Sequence, residues 1–147
     1  RTMVLRSVDP VTRQLIAQTD VRSTKVPGFR KDPRVAWHFF DPQTKVQVRA
    51  NGRVTVHHDD EVTRTAWAAV PEANKRNYAT PSAPGLPVDD PSISQAQAGA
   101  YTAAYANFSV LCAEITFIDW LQLGDERHRR AQFTWTGSDW RGAWVVP

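Results

Sequence analysis

Apolar and polar residues alternate along several short stretches of this chain, and a period of two predicts β-strands. In residues 45–56 the apolar side chains share one parity, and this set consists of Val46, Val48, Ala50, Val54 and Val56. Gly52 falls on the same parity, where we expect a bend or bulge. Residues 34–40 are almost continuously apolar and aromatic, which predicts a strand buried on both faces.

Other stretches predict the remaining elements. Further strands are predicted at residues 1–8, 14–19, 108–120, 132–135 and 140–146. Helices are predicted from Lys25 to the Asp32-Pro33 stop, after the acidic run 59–61, at 72–78 and within 92–105. The proline-rich residues 80–91 predict a loop or lid. This order predicts a mainly β fold, an antiparallel sheet or barrel with peripheral helices.

Length and composition limit the classes of protein. A chain of 147 residues with 41% apolar content, six Trp and six Phe favours a single domain, here 1–147 with 80–106 as an insertion or lid. It has no apolar run long enough to span a membrane and no signal peptide pattern. The one cysteine, Cys112, excludes an internal disulfide and a cysteine zinc cluster, so we expect a cytoplasmic protein. Cys112 sits in an apolar run, which predicts a buried residue.

Positive charge is concentrated near the start of the chain. Residues 1–34 contain eight Lys/Arg and three Asp/Glu. Within them a predicted strand ends at Gln18-Thr19-Asp20, and Arg22, Ser23, Thr24 and Lys25 precede a helix. Hydroxyls, cations and backbone N–H groups at a helix start predict an anion site, for which a phosphate is suited. The alternative is an ordinary polar turn with a helix cap.

Other groups of polar residues give little indication of a metal site or a catalytic site. His57 and His58 are adjacent on a strand and point to opposite faces, so we expect no metal site there. The charged loop at 124–133 is either a solvated turn or a segment that closes over a ligand. The sequence shows no Gly-rich phosphate loop and no nucleophile with a nearby base. An enzyme with this sequence would therefore need a cofactor.

Six short motifs follow one another along the chain: Arg1-Thr-Met-Val-Leu-Arg6, Gln18-Thr19-Asp20 with Ser23-Thr24-Lys25, Asp32-Pro-Arg-Val-Ala36, Gln47-Val-Arg-Ala-Asn-Gly52, Asp119-Trp120 and the loop 126–133. In order and spacing they resemble the pyridoxamine 5′-phosphate oxidase-like family, whose members are homodimeric split β-barrels that bind flavin mononucleotide (FMN). The resemblance covers roughly 1–60 and 108–147. It implies an antiparallel split β-barrel of the FMN-binding type, whose first strand would precede Arg1 and be missing from this chain.

The resemblance also implies roles for individual residues. It places Arg1, Ser23, Thr24 and Lys25 at the flavin phosphate and the strand Thr2, Met3, Val4, Leu5 and Arg6 alongside the ring. The other implied flavin contacts are Gln18, Thr19, Gln47, Trp120 and Gln132, the last two across a dimer interface. The implied substrate contacts are His128 and Arg130.

Three departures from the family pattern change these expectations. Thr24 and Gln132 stand where the family often has Arg, so flavin affinity would be tens-fold weaker. Ala66, Val70 and Asn74 replace a substrate-phosphate clamp, leaving an emptied pocket beside Trp67. We therefore expect an FMN-dependent oxidoreductase that exchanges hydride at flavin N5 with a small-molecule substrate but is not an efficient pyridoxamine phosphate oxidase.

Two alternatives remain open at this point. One is a split barrel that uses deazaflavin or haem, or that only stores or senses flavin. The other is a basic nucleic-acid-binding barrel, which the N-terminal concentration of charge disfavours because such proteins usually spread basic residues over a whole face.

Overall fold

Strands and a few short helices make up the regular structure. The computed structural model describes residues 2–94 and 101–147. Within these residues the strands are β1 (Leu5–Asp9), β2 (Gln14–Asp20), β3 (Arg34–Asp41), β4 (Val46–His57), β5 (Phe108–Gln122), β6 (Arg129–Trp135) and β7 (Trp140–Val145). The helices are α1 (Lys25–Lys31), α2 (Glu61–Ala68), α3 (Glu72–Lys75) and α4 (Tyr101–Asn107), with 3₁₀ turns at Arg76–Tyr78 and Pro91–Ser94.

The strands form one sheet in the order β1-β2-β5-β4-β3, and β6 pairs with β5 and β7. The pairs β3–β4, β5–β6 and β6–β7 are antiparallel. The predicted mainly β, antiparallel fold with few helices is therefore confirmed.

Element positions agree with the sequence pattern except at the start of the chain and within the predicted charged loop 124–133, where β6 already begins at Arg129. β1 begins at Leu5, so residues 2–4 do not form the predicted strand alongside the ring, and Arg1 lies outside the described residues. The predicted helix at 92–105 is represented by the turn Pro91–Ser94 and by α4, and residues 95–100 lie outside the description. The proline-rich residues 80–90 contain no helix or strand, as predicted.

By its contacts the chain divides into two compact units. Unit 1 contains Arg1–Val8, Leu15–Pro33 and Thr55–Cys112, and unit 2 contains Asp9–Gln14, Arg34–Val54 and Ala113–Pro147. The long strands β4 and β5 contribute residues to both units.

Unit 1 packs around buried side chains that we call the aromatic core: Val70, Tyr78, Ala79, Ala104, Phe108, Val110 and Cys112. The Trp67 ring packs against this core, with its centroid 5.0 Å from that of Phe108 and 5.8 Å from that of Tyr78. Burial raises the pKa of the Cys112 thiol. Cys112 is thus a small buried apolar residue, as predicted.

The acidic run before α2 caps that helix. Asp60 Oδ1 accepts a hydrogen bond from the Thr63 N–H over 2.9 Å, and the Thr63 hydroxyl accepts from the Asp60 N–H over 2.9 Å. His57 Nδ1 lies 2.7 Å from Asp60 Oδ2, whereas His58 Nε2 lies 2.9 Å from the Ala106 carbonyl. The two histidines therefore serve separate contacts.

Gly52 in unit 2 is required by a close backbone approach. An added Cβ would lie 1.9 Å from the Glu114 carbonyl oxygen of β5. The β3–β4 register continues past Gly52 without an interruption, since Val35 faces Gly52 and Ala36 faces Asn51. The expected bend or bulge is thus replaced by steric contact with a neighbouring strand.

The prediction that β3 is buried on both faces is wrong. Its side chains alternate between half-buried and exposed, and Phe40 is 54% exposed. Trp37 and Phe39 share the half-buried face, where their rings stack 6.0 Å apart. β3 is the last strand in the sheet order, so its apolar run is only partly covered in this chain.

Candidate functional site

The turn between β2 and α1 brings together three residues that the family resemblance assigns to the flavin site. Thr19 and Ser23 are both buried. The Lys25 ammonium donates to Thr19 Oγ1 over 2.9 Å and to Ser23 Oγ over 2.7 Å. We call these residues the hydroxyl–lysine cluster. Because a positive charge and two rotatable hydroxyls converge there, the cluster is chemically suited to an anion.

Hydrogen bonds fix the backbone around the hydroxyl–lysine cluster. The Ser23 N–H donates to the Asp20 carbonyl over 3.1 Å, and the buried Ser109 hydroxyl of β5 donates to the Thr19 carbonyl over 2.9 Å. The following helix α1 has only seven residues, and its N-cap Thr24 makes no side-chain capping bond. The side chains therefore define this site more than a helix dipole does.

The expectation that Arg22 supplies countercharge to the anion site is wrong. Its Nε donates to Asp20 Oδ1 over 3.0 Å and its Nη2 to Asp20 Oδ2 over 2.7 Å. Nη2 also donates to the Thr80 carbonyl over 3.1 Å. The Asp20 side chain is only 4% exposed, and a buried carboxylate needs a counter-ion. The hydrogen bond to Asp20 raises the pKa of Arg22.

The other predicted N-terminal contacts lie outside the hydroxyl–lysine cluster. Gln18 directly precedes Thr19 in β2, and neighbouring strand residues point to opposite faces. Thr24 is exposed beside the cluster. The remaining predicted contacts are Thr2, Met3 and Val4, which precede β1, and Leu5 and Arg6, which lie in it.

A second polar group, the Asp119 cluster, lies in unit 2 and consists of Asp119, Arg130, Gln132 and Arg49. Asp119 is buried and accepts from Arg130 Nε over 2.9 Å and from Arg130 Nη2 over 2.7 Å. Arg49 Nη2 lies 3.7 Å from Asp119 Oδ2. The hydrogen bond from Arg130 is the main cause that lowers the pKa of Asp119, and a hydrogen bond from Gln132 adds to it.

Sequence reasoning assigned Gln132 and Arg130 but missed Asp119 and Arg49. The available signal was the parity of β4, where Gln47 and Arg49 are two residues apart and so share the polar face. Gln47 is half-buried on that face. Nothing in the sequence indicated that Asp119 would pair with a cation eleven residues later.

Trp120 lies on the other face of β5 from the Asp119 cluster. It faces Ala131 in β6, and Ala131 faces Trp144 in β7. The Trp120 and Trp144 rings meet edge to face at 6.2 Å. A cleft of about 470 Å³ opens on this face, lined by Trp120, Ala131, Phe133, Gly142, Ala143 and Trp144. The structure therefore does not bring Trp120 and Gln132 together.

The two predicted substrate contacts also differ in their surroundings. His128 is exposed in the loop before β6, and its Nδ1 accepts a hydrogen bond from the Gly124 N–H over 3.2 Å. Arg130 belongs to the Asp119 cluster. His128 thus helps to fix the loop, whereas Arg130 is engaged by a carboxylate.

The residues expected to line an emptied substrate-phosphate pocket pack into protein. Val70 is 6% exposed and belongs to the aromatic core, against which Ala66 and Trp67 pack. Lys75 lies 5.3 Å from the Trp67 ring centroid. Asn74 is exposed in α3. The emptied pocket that the sequence suggested is thus filled by apolar contacts.

Residues 2–94 and 101–147 contain neither a metal-binding group nor a membrane-spanning helix. Among these residues, no His, Cys, Asp and Glu side chains form a group of three or more that could hold a metal ion. No helix in the described part of the chain is long and apolar enough to cross a membrane.

Residues 1–58 match the family model for the pyridoxamine 5′-phosphate oxidase FMN-binding domain. The matched range contains the hydroxyl–lysine cluster and Gln47. The resemblance predicted from the motifs is therefore confirmed. A search of the curated proteins found no match.

Solved structures extend the likeness over the whole chain. A pyridoxamine 5′-phosphate oxidase-related, FMN binding protein from Nostoc punctiforme PCC 73102 is 23% identical, with a TM-score of 0.81 over 100% of this chain and 80% of that one. PhzG from Burkholderia lata 383, solved with tetrahydrophenazine-1-carboxylic acid, is 17% identical, with a TM-score of 0.75 over 100% and 74% of the two chains. A Clostridium acetobutylicum protein related to general stress protein 26 is 12% identical, with a TM-score of 0.54 over 87% and 71%. The fold is that of the split barrels in this family.

Proposed function

We propose that this protein binds FMN, with the phosphate at the hydroxyl–lysine cluster, and acts as an FMN-dependent oxidoreductase. The observation that carries this proposal is the Lys25 ammonium, held 2.9 Å and 2.7 Å from two buried hydroxyl oxygens. A phosphate accepts hydrogen bonds from ammonium and hydroxyl groups alike, so all three side chains can donate to it.

The neighbouring buried carboxylate does not disqualify the cluster. Asp20 would repel a phosphate if it were unpaired, but Arg22 donates three hydrogen bonds to its side chain, of 3.0, 3.3 and 2.7 Å. The Arg22–Asp20 pair is neutral overall. Asp20 therefore adds no uncompensated negative charge beside the hydroxyl–lysine cluster.

The comparisons support the same cofactor. The FMN-binding domain model covers every residue of the hydroxyl–lysine cluster, and the Nostoc protein is described as FMN binding. Bound FMN would supply hydride exchange at its N5 position. Lys25, Thr19 and Ser23 would hold its phosphate.

A titration of the purified protein tests this proposal. We expect FMN to bind with a change in its visible absorption and to bind more tightly than riboflavin, which lacks the phosphate. Equal affinity for both flavins would contradict a phosphate site. A protein that binds no flavin, but binds DNA with an affinity that falls steeply with salt, would support the nucleic-acid alternative.

The proposed assembly is a homodimer with FMN at its interface. Unit 2 exposes several large apolar side chains on β6, β7 and the residue after β7: Phe133 at 37%, Trp140 at 36%, Trp144 at 72% and Val146 at 88%. Exposed apolar groups of this density favour burial against a partner. Sedimentation at micromolar concentration is expected to give a dimer, and a monomer that retains FMN would contradict this assembly.

A further inference from the structure

Two arginines approach one buried carboxylate in the Asp119 cluster, but they do so differently. Arg130 makes two short hydrogen bonds to Asp119, of 2.9 and 2.7 Å. The nearest Arg49 nitrogen is 3.7 Å from Asp119 Oδ2, which is too long for a hydrogen bond. Asp119 thus neutralises Arg130 and only attracts Arg49.

Arg130 and Arg49 also differ in how exposed their side chains are. The Asp119 side chain is 8% exposed and that of Arg130 is 32% exposed, whereas the Arg49 side chain is 53% exposed. A guanidinium carries five N–H donors in a planar fork that matches a carboxylate. Arg49 can therefore present donors to a ligand while its position is held by attraction to Asp119.

We propose that Arg49 is the residue that binds the anionic group of the substrate, that this group is a carboxylate, and that Asp119 is a positioning residue for it. The family resemblance implied substrate contacts for His128 and Arg130, but the Arg130 guanidinium is already engaged by the Asp119 carboxylate. Two guanidinium charges and one carboxylate charge leave one positive charge in the cluster. That charge is balanced by a monoanion such as a carboxylate, whereas a phosphate dianion would leave an excess of negative charge.

This inference rests on the proposed function in one respect: it takes the site next to Arg49 to be the flavin site. Gln47, which the family resemblance assigns to the flavin ring, lies two residues before Arg49 on the same face of β4. A carboxylate bound by Arg49 would accordingly lie beside the amide proposed to orient the flavin. The charge argument itself involves only residues of unit 2.

Calorimetric titration with benzoate, and with the uncharged benzamide as its isostere, tests the proposal. His38 faces Arg49 across the β3–β4 pair, so all titrations are run at one fixed pH. Benzoate is expected to bind more tightly than benzamide and more tightly than phenyl phosphate. Arg49→Gln should weaken benzoate binding about tenfold or more and leave benzamide binding unchanged.

Arg53→Gln is the matched control, because Arg53 is an exposed arginine of the same strand and the same parity. It should change benzoate binding little. Asp119→Asn adds one net positive charge and should shift the preference from benzoate toward phenyl phosphate, provided that its thermal unfolding remains cooperative. Equal losses in Arg49→Gln and Arg53→Gln, or equal binding of benzoate and benzamide to the wild type, would overturn the proposal.

The two proposals can fail separately. All titrations are made on the protein with and without added FMN. A protein that does not bind FMN contradicts the proposed cofactor but still reports on Arg49 through benzoate. A protein that binds FMN but shows no charge discrimination at Arg49 overturns this inference alone.

Discussion

The Lys25 ammonium group donates hydrogen bonds to the hydroxyl oxygens of Thr19 and Ser23. A hydroxyl oxygen that accepts from the ammonium can rotate and donate its own proton to an incoming phosphate. The cluster can thus bind an anion without moving its backbone, which the Ser109 and Asp20 hydrogen bonds hold in place. Such preorganisation reduces the entropy lost on binding.

Replacing Lys25 separates phosphate recognition from recognition of the flavin ring. Lys25→Ala should weaken FMN binding by about ten- to a hundredfold, since it removes a charged hydrogen-bond donor. Riboflavin affinity should hardly change. The measurement is flavin fluorescence during titration. Lys31→Ala, which removes an exposed charge from the end of the same helix, serves as control. Equal loss of both flavins would mean that the substitution damages the fold.

Asp119 makes stability depend on pH in a specific direction. Its pKa is lowered in the folded protein, first by the hydrogen bond from Arg130. A carboxyl of this kind stabilises the fold above its ordinary pKa of about 3.9, and the contribution is lost as the pH falls through the lower folded-state pKa. Asp119→Asn should therefore reduce the free energy of unfolding by about 1–3 kcal/mol at pH 7, and much less near pH 3.

Urea unfolding at the two pH values measures this difference. Asp139→Asn, at an exposed position in the turn before β7, should show little effect at either pH. A loss in Asp119→Asn that is the same at pH 7 and near pH 3 would show that shape, and not charge, explains it.

Local sequence identified the hydroxyl–lysine cluster because its three members lie within seven residues of one another. The same reasoning misassigned Arg22, whose partners include Thr80, 58 residues further along the chain. It also missed Asp119 and Arg49, which approach each other from different strands. Charge pairs between distant residues depend on strand register, which a single sequence does not specify.

At the scale of helices and strands, one glycine in β4 and one in α1 allow a crowded position to be compared with an open one. Gly52→Ala places a Cβ 1.9 Å from the Glu114 carbonyl oxygen, where backbone must move. It should lower the free energy of unfolding by more than about 4 kcal/mol or prevent folding. Gly28→Ala in α1 meets nothing within 4 Å and should stabilise the protein by about 0.5–1 kcal/mol, because alanine favours helix. Thermal and urea unfolding would measure both changes.

A tolerated Gly52→Ala would contradict the close approach of β4 and β5. The periodicity of β4 had marked this glycine as unusual, but it could not distinguish a bulge from a neighbouring backbone. For β3, the apolar run indicated burial on both faces, yet Phe40 is 54% exposed. Whether a strand lies at the edge or in the middle of a sheet depends on the complete topology. The sequence therefore predicted which residues share a face of a strand better than it predicted how deeply that face is buried.

For the molecule as a whole, the packing of unit 1 bears on substrate choice. The family resemblance implies that Ala66 and Val70 replace residues that clamp the substrate phosphate in pyridoxamine 5′-phosphate oxidases, and in this structure they pack in or against the aromatic core. The loss of two phosphate contacts should reduce affinity for pyridoxamine 5′-phosphate about a thousandfold. We expect negligible turnover of that substrate by FMN-loaded protein in a steady-state assay. Turnover with a micromolar KM would contradict this expectation.

The buried thiol of unit 1 has a practical consequence for studying this fold. Cys112 is the only cysteine of the chain, it is 7% exposed, and burial raises the pKa of its thiol. A thiol reagent in solution can therefore reach it only when the surrounding strand and core separate. The rate of labelling would report the opening of the protein interior directly, with no engineered probe, and its slowing by FMN would express cofactor binding as kinetic protection.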